Sequence, residues 1–380
     1  MSERPLRPET IAAHALRALD AETGAVVPPL HTSTTYARDT DYALRGASSY
    51  LRYGNPTVAH AEAAIAALEG AYAARVFGSG MAAIVTLFET VPQGGHVLAP
   101  AVMYHGTRDW LKRLDAKGRI QLTLFDPADP DALAAAVTPQ TDIVWIETPV
   151  NPTWDVIDIA AAAEAAHGAG AILAVDSTVA TPVLTQPLAL GADIVFHAAT
   201  KYLNGHSDVL GGVLVTAGDT PRWQEIAALR NAMGTMLAPV ESWMLIRGLR
   251  TLFVRVRQAS ATALALATHL EAHPKIEAVL YPGLASHPGH GVAARQMSGG
   301  FGGMMSVLVK GSDAEALAVV KQLKVFLPAT SLGGIESLAE HRRTVEGPSS
   351  PVPGNLNRLS IGLEALDDLV EDLDQALGGI

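Results

Sequence analysis

Lys201 stands just beyond a short apolar run, Ile194-Val195-Phe196-His197, and ahead of a turn of small and polar residues, Asn204-Gly205-His206-Ser207-Asp208. A lysine at the end of a buried strand can be held neutral, and only the free amine attacks a carbonyl. Asp176 closes the run Ala171-Ile172-Leu173-Ala174-Val175. A carboxylate there can pair with a protonated ring nitrogen and keep a pyridine cationic; the competing reading is a turn cap. Gly78-Ser79-Gly80-Met81 lies between an apolar run and a helical segment. Free N–H groups at such a helix start hold phosphate, and the glycines allow close approach; a tight turn without a ligand is the alternative. A Schiff-base amine, a partner for a pyridine and a phosphate cradle are what pyridoxal phosphate (PLP) requires of a protein.

Other residues add to this set. Thr200 offers a hydroxyl beside the lysine. Tyr50 and Arg52 fall on one face of an extended segment, and arginine grips phosphate with two parallel hydrogen bonds; loop packing is the alternative. Tyr104 follows the run Val97-Leu98-Ala99 and either stacks on a cofactor ring or belongs to the core. Arg358, in Asn357-Arg358-Leu359-Ser360, either clamps a substrate carboxylate or forms a surface ion pair. His287 and His290 share a Pro-Gly loop with no carboxylate cluster, a poor metal site. His197 and His206 read as packing or hydrogen-bonding groups.

These residues must be held by a scaffold. From about 56 to 240, helical and strand patterns alternate. Helices are expected over Val58–Leu68, Met81–Thr90 and Ile159–Ala166. Strands are expected over Ala74–Phe77, His96–Ala99, Ile120–Phe125, Ile143–Ile146, Ala171–Val175, Ile194–Phe196 and Val213–Val215. That alternation implies an α/β fold with a mostly parallel sheet covered on both faces, its ligands at the carboxyl ends of the strands. Residues 1–55 have little periodicity and read as an arm lying across another surface, such as a neighbouring subunit. Residues 241–380 read as a smaller α+β domain. It should hold a long helix over Val240–Ala272 with an interruption near Gly248, strands at Met304–Val309 and Val325–Leu327, and a closing helix over Leu366–Ala376.

Composition bounds the rest. The 380 residues are 49% hydrophobic and 17% charged, with a net charge of -11 and no cysteine. Such a chain buries a large core, and its acidity argues against nucleic-acid and anionic-membrane partners. Thiolate chemistry and disulfides are excluded. No apolar run is long enough to span a bilayer, and the first residues lack a signal-peptide pattern, so the expected location is cytoplasmic.

Read in order, the motifs resemble the Cys/Met metabolism family of PLP enzymes, which includes cystathionine lyases and synthases. The resemblance covers nearly the whole chain. It is carried by Tyr50 to Thr57, Phe77 to Ala83, Glu147 to Thr153, Val175 to Thr178, Ala199 to Asp208, Ser331 to Leu338 and Arg358 to Glu364. It implies an aspartate-aminotransferase fold with Lys201 as the Schiff-base lysine and proton shuttle. Asp176 would pair with the pyridine nitrogen, Tyr104 stack on the ring, and Asn151 lie near the ring hydroxyl. Gly80, Met81 and Thr200 would bind the phosphate, with Tyr50 and Arg52 reaching the phosphate and substrate of a neighbouring subunit. Ser331 and Arg358 would hold the carboxylate of a small amino-acid substrate. A homotetramer built from two catalytic dimers is also implied.

The chain departs from the family pattern at several places. Ala198 replaces a common serine. Thr330 precedes Ser331 where the residue often selects substrate. Arg342-Arg343 stands where many members carry Pro-Ala, the loop over residues 344–353 is short, and Trp154 is bulky. The expected function is carbon–sulfur elimination on cystathionine or a related amino acid, at Cβ or Cγ. The alternatives are γ-replacement on an activated homoserine, a non-catalytic PLP-binding regulator, and a nucleotide-binding protein using Gly78 to Gly80. No phosphate-loop lysine motif or dinucleotide glycine pattern supports the last.

Overall fold

The computed structural model describes residues 6–17, 19–347 and 352–380. Its central runs of β-branched and aromatic residues are too apolar to face water on either side. They form a seven-stranded sheet: β1 (Ala73–Phe77), β2 (Gly95–Pro100), β3 (Ile120–Phe125), β4 (Thr141–Glu147), β5 (Ile172–Asp176), β6 (Ile194–His197) and β7 (Gly212–Thr216). The order is β1-β7-β6-β5-β4-β2-β3, with β7 antiparallel to both neighbours and the other pairs parallel. Both faces are covered by helices, as an unalternating strand pattern demands.

Local signals set the helices on those faces. The helix Pro56–Glu69 starts at Asn55, whose side chain accepts from the N–H groups of Thr57 and Val58, and ends at the left-handed Gly70. The helix Gly80–Glu89 starts at Ser79, whose hydroxyl accepts from Ala82 N–H at 3.0 Å. The turn before this helix crosses the start of β7 closely: a Cβ on Gly212 would stand 2.4 Å from the Ser79 carbonyl oxygen.

A second sheet, β10-β11-β12-β9-β8, joins β8 (Ile276–Leu280), β9 (Met304–Val309), β10 (Leu327–Pro328), β11 (Leu338–His341) and β12 (Leu356–Ser360). It is antiparallel except for the β10–β11 pair. Its core includes Leu266, Met305, Val307, Leu359 and Leu373, from the sheet and the helices Leu252–Glu271 and Leu366–Gly378. The fold class is thus the α/β class expected. No helix among the described residues is long and apolar enough to cross a membrane.

The long helix is interrupted near Gly248 as expected: it is two helices, Pro239–Leu249 and Leu252–Glu271, with the break at Arg250-Thr251. Gly248 itself lies inside the first helix, where a Cβ would meet the Asn204 carbonyl oxygen at 2.3 Å. Two elements differ from the sequence expectation. The strand expected at Val325–Leu327 begins only at Leu327, because the Asp372 carboxylate takes the N–H groups of Lys324, Val325 and Phe326 at 2.8 to 3.0 Å. The first residues contain a short helix, Pro8–His14. The other described residues before Asn55 are mostly irregular, with Val26, Tyr42 and Tyr53 exposed.

Candidate active site

The carboxyl ends of β2, β4, β5 and β6 converge with the start of the helix Gly80–Glu89 on a cavity of about 170 Å³. Lys201, Asp176, Tyr104, Asn151, Thr200, Gly80 and Met81 all line it. This is where an open α/β sheet binds ligands.

Lys201 sits in the turn after β6, and its Nζ donates to Ser331 Oγ at 2.8 Å. Burial, helped by the nearby Arg358 guanidinium and opposed by Glu340, brings its amine down to about 8. The turn is held from behind by Arg255, which donates to the carbonyls of Tyr202 and Gly248 at 2.8 Å each. Asp176, at the end of β5, is buried, and its Oδ1 accepts from Thr178 N–H at 3.0 Å. It therefore caps a turn and also faces the cavity. Strand register sets it directly beside Glu147 of β4. Burial raises both carboxyls; Asp176 adds to the rise of Glu147, while the Thr178 hydrogen bonds hold Asp176 back in part.

Glu147 is a site residue that its matched motif did not single out. Its two oxygens accept from the backbone N–H groups of Tyr104 at 2.8 Å and Asn151 at 2.9 Å, so it fixes two loops at the rim. Burial and the Glu147 charge raise the Tyr104 phenol. The side chain of Asn151 accepts from Arg358 Nη1 at 3.2 Å.

Arg358 lies on β12, buried, and pulled down to about 10 by that burial against the raising effect of Glu340. It is in an ion pair, but a buried one. Its Nη2 donates to the Ser331 carbonyl at 2.8 Å and stands 2.6 Å from Glu340 Oε2. The same Glu340 oxygen accepts from Arg342 Nη1 at 2.6 Å, and Glu340 Oε1 accepts from the Thr330 hydroxyl at 2.7 Å. Arg342 also pairs with Glu346. Neither Glu340 nor Arg342 was singled out for this place, since the contact depends on pairing of β11 with β12.

The remaining expectations fall as follows. The Thr200 hydroxyl is engaged with the backbone of Gly211. Tyr50 and Arg52 do not line the cavity of their own chain; Arg52 lies over the Tyr50 and Tyr53 rings instead. Trp154 is not at the cavity but wholly buried, its indole donating to Ser306 Oγ at 2.8 Å. His197 pairs with Glu69 at 2.6 Å, both fully buried, and His206 bonds to the Asn204 carbonyl. His287 and His290 bond to loop backbone. Within the loop over 344–353, residues 348–351 lie outside the described residues.

PLP fits this set on structural grounds. The N–H groups of Gly80 and Met81 donate to no group among the described residues. A Cβ on Gly80 would come within 3.3 Å of Phe196 and 3.5 Å of Ala198, so the glycine keeps the cradle open. A lysine of lowered basicity and a buried carboxyl share the cavity with that cradle. Fold and site together suit a PLP-binding protein whose cofactor lies at the carboxyl ends of an open α/β sheet.

Comparison with known proteins agrees. The profile of the Cys/Met metabolism PLP-dependent enzyme family matches residues 9–378. A cystathionine gamma-synthase of Mycobacterium tuberculosis is 45% identical over 98% of this chain and 97% of its own. A cystathionine gamma-lyase of Dictyostelium discoideum is 41% identical over 96% of each. The crystal structure of a cystathionine gamma synthase from Xanthomonas oryzae, in complex with aminoacrylate and cysteine, superposes with a TM-score of 0.94. Its identity is 37%, covering 99% of this chain and 98% of that one. The chain belongs to the Cys/Met metabolism PLP-dependent enzyme family, and it is a PLP-dependent enzyme of sulfur amino acid metabolism.

Proposed function

We propose that the enzyme breaks a carbon–sulfur bond in cystathionine or a closely related amino acid. The observation that carries this is the contact of Lys201 with Ser331, whose carbonyl is held by Arg358. One turn thus brings together an amine that can move a proton and a guanidinium that can hold a carboxylate. When bound, PLP supplies an aldehyde for the substrate amine and a ring that draws electrons from the adjacent carbon.

The chain's own residues would do the rest. Arg358 and Ser331 anchor the substrate α-carboxylate, which fixes the Cα–H bond for removal. Lys201 takes the Cα proton, and its lowered basicity leaves about a tenth of it in the free form at pH 7, far more than an ordinary lysine would have. Asp176 would hold a proton on the ring nitrogen. Gly80 and Met81 would bind the phosphate through backbone N–H groups. Tyr104 would cover the ring, and Asn151 would lie near its hydroxyl. For a leaving group on Cγ, Lys201 would also take a Cβ proton.

A second reading is γ-replacement, in which a thiol adds to an activated homoserine. The similarity to gamma-synthases favours it. Both reactions use the same groups and differ in which nucleophile reaches the reacting carbon. A panel of cystathionine, methionine, cysteine and acylated homoserines separates them. Pyruvate marks elimination at Cβ and 2-oxobutyrate elimination at Cγ. A new thioether without either keto acid replaces the first reading by the second.

We also propose the division into an arm (1–55), a PLP-binding domain (56–240) and a smaller domain (241–380). A homo-oligomer, in the form of a tetramer of two catalytic dimers, and a cytoplasmic location belong to the same proposal. The exposure of Val26, Tyr42 and Tyr53 on the arm supports the subunit contact.

A further inference from the structure

The cluster around Arg358 contains more charge than the anchoring of one carboxylate needs. Arg358 has three internal acceptors: Asn151 Oδ1, the Ser331 carbonyl and Glu340 Oε2. A guanidinium so occupied must loosen one of them before it can meet a carboxylate with two parallel bonds. The Asn151 Oδ1 and the Ser331 carbonyl accept from no second cation among the described residues. Glu340 does. Its Oε2 lies between Arg358 and Arg342, 2.6 Å from each, and its Oε1 accepts from Thr330.

A substrate carboxylate added to an Arg358–Glu340 pair alone would set two like charges on one guanidinium in a buried site, where repulsion is strong. Arg342 changes that balance. It is itself buried, and it meets Glu340 through a contact of its own, separate from that of Arg358. We propose that Arg342 is a positioning residue for substrate binding: it holds Glu340 so that Arg358 can exchange this internal carboxylate for the α-carboxylate of an amino acid. The inference rests on Arg358 being the carboxylate anchor.

Propionate tests it, because it carries the carboxylate but no amine to react with the cofactor. Its affinity is measured by calorimetry on the PLP-loaded protein, alongside KM and kcat for the amino acid that the panel identifies. R342Q is expected to weaken propionate about tenfold or more and to raise KM similarly, with kcat falling less than about threefold. E340Q removes the competing charge, so it should bind propionate at least as tightly as the parent. The double variant R342Q/E340Q should return to within about threefold of the parent. A merely structural role for Arg342 predicts no such rescue.

R342Q binding propionate like the parent overturns the inference. So does a double variant no better than R342Q, or an E340Q that binds about tenfold more weakly, which would make Glu340 an orienting partner rather than a competitor. R358Q separates the two levels. If it leaves propionate binding intact, the anchor assignment itself fails. If it abolishes binding while R342Q changes nothing, only the present inference fails. Should R342Q not fold, R342P replaces it. Position 342 opens the helix Arg342–Glu346, His341 before it is extended (φ -78, ψ 105), and the Arg342 N–H donates to no group among the described residues, so proline fits there.

Discussion

Single side chains carry the first two predictions. Burial and Arg358 bring the Lys201 amine to about 8, whereas an exposed lysine stays protonated to much higher pH. Capture of PLP by cofactor-free protein under borohydride should therefore quicken as pH rises toward about 8 and level off above it. A rate still climbing above pH ~10 would mean an ordinary surface amine. Lys201→Ala should leave no labelled active-site peptide. Asp176 works in the opposite sense for stability. Burial raises its carboxyl, so the folded state favours the proton. Stability is then fully present below the ordinary aspartate value and falls as pH rises through the raised folded value. Asp176→Asn removes this slope. The cofactor-free variant should be about 1 kcal/mol or more steadier to urea at neutral pH, equal to the parent near pH 3, and about tenfold or more weaker for PLP. A urea midpoint lowered at neutral pH would contradict the assigned strain. That Lys201, Asp176 and Gly80 belong to one cavity is legible because each is marked by its own neighbours in sequence. The place of Glu340 and Arg342 is not, because β11 pairing with β12 is what carries them to Arg358.

At the scale of elements, the contest is between helix propensity and packing. Gly248 lies within the helix Pro239–Leu249, where alanine would ordinarily gain about 1 kcal/mol. Its missing Cβ, however, leaves room for the Asn204 backbone, which a methyl would meet at 2.3 Å. Overpacking against backbone costs about 1–3 kcal/mol, so it should match or exceed the helical gain. Gly248→Ala is expected to lower stability in urea, and to slow borohydride capture at Lys201, because Asn204 belongs to the same turn as the lysine. A stabilised variant with unchanged capture would show that the turn yields freely. The interruption expected near this glycine falls just beyond it, at Arg250-Thr251, while the close approach of Asn204 that calls for glycine here leaves no mark on local periodicity. The strand near Val325 is misplaced by the sequence, since its N–H groups are claimed by Asp372, 47 residues further on. Strands of the large sheet were legible to within a residue or two because both faces are buried and the apolar run itself marks the strand.

For the whole molecule, the question is whether one chain makes a complete site. The cradle at Gly80 and Met81 offers backbone donors, but among the described residues no arginine lines the cavity beside it. Arg52 lies on an exposed arm, over the rings of Tyr50 and Tyr53, and not at that cavity. Tyr53 and Tyr42 are 61% and 77% exposed, and Leu210, on the cavity wall, is 63% exposed. Exposed apolar area on the arm and at Leu210 on the cavity wall suits cover by a second copy, and an isologous dimer would bring each arm to the other's cavity. The consequence can be measured by mixing. Arg52→Ala fails in the residue it would lend, and Lys201→Ala in the residue it would keep. Each homodimer should be inactive or nearly so. In a mixed dimer one site collects both defects and the other collects none. Unfolding and refolding equal amounts together should then restore about a quarter of the parent activity, since half the dimers are mixed and each has one intact site. Sites built within single chains would give no recovery at all, and the arm would have to be assigned another role.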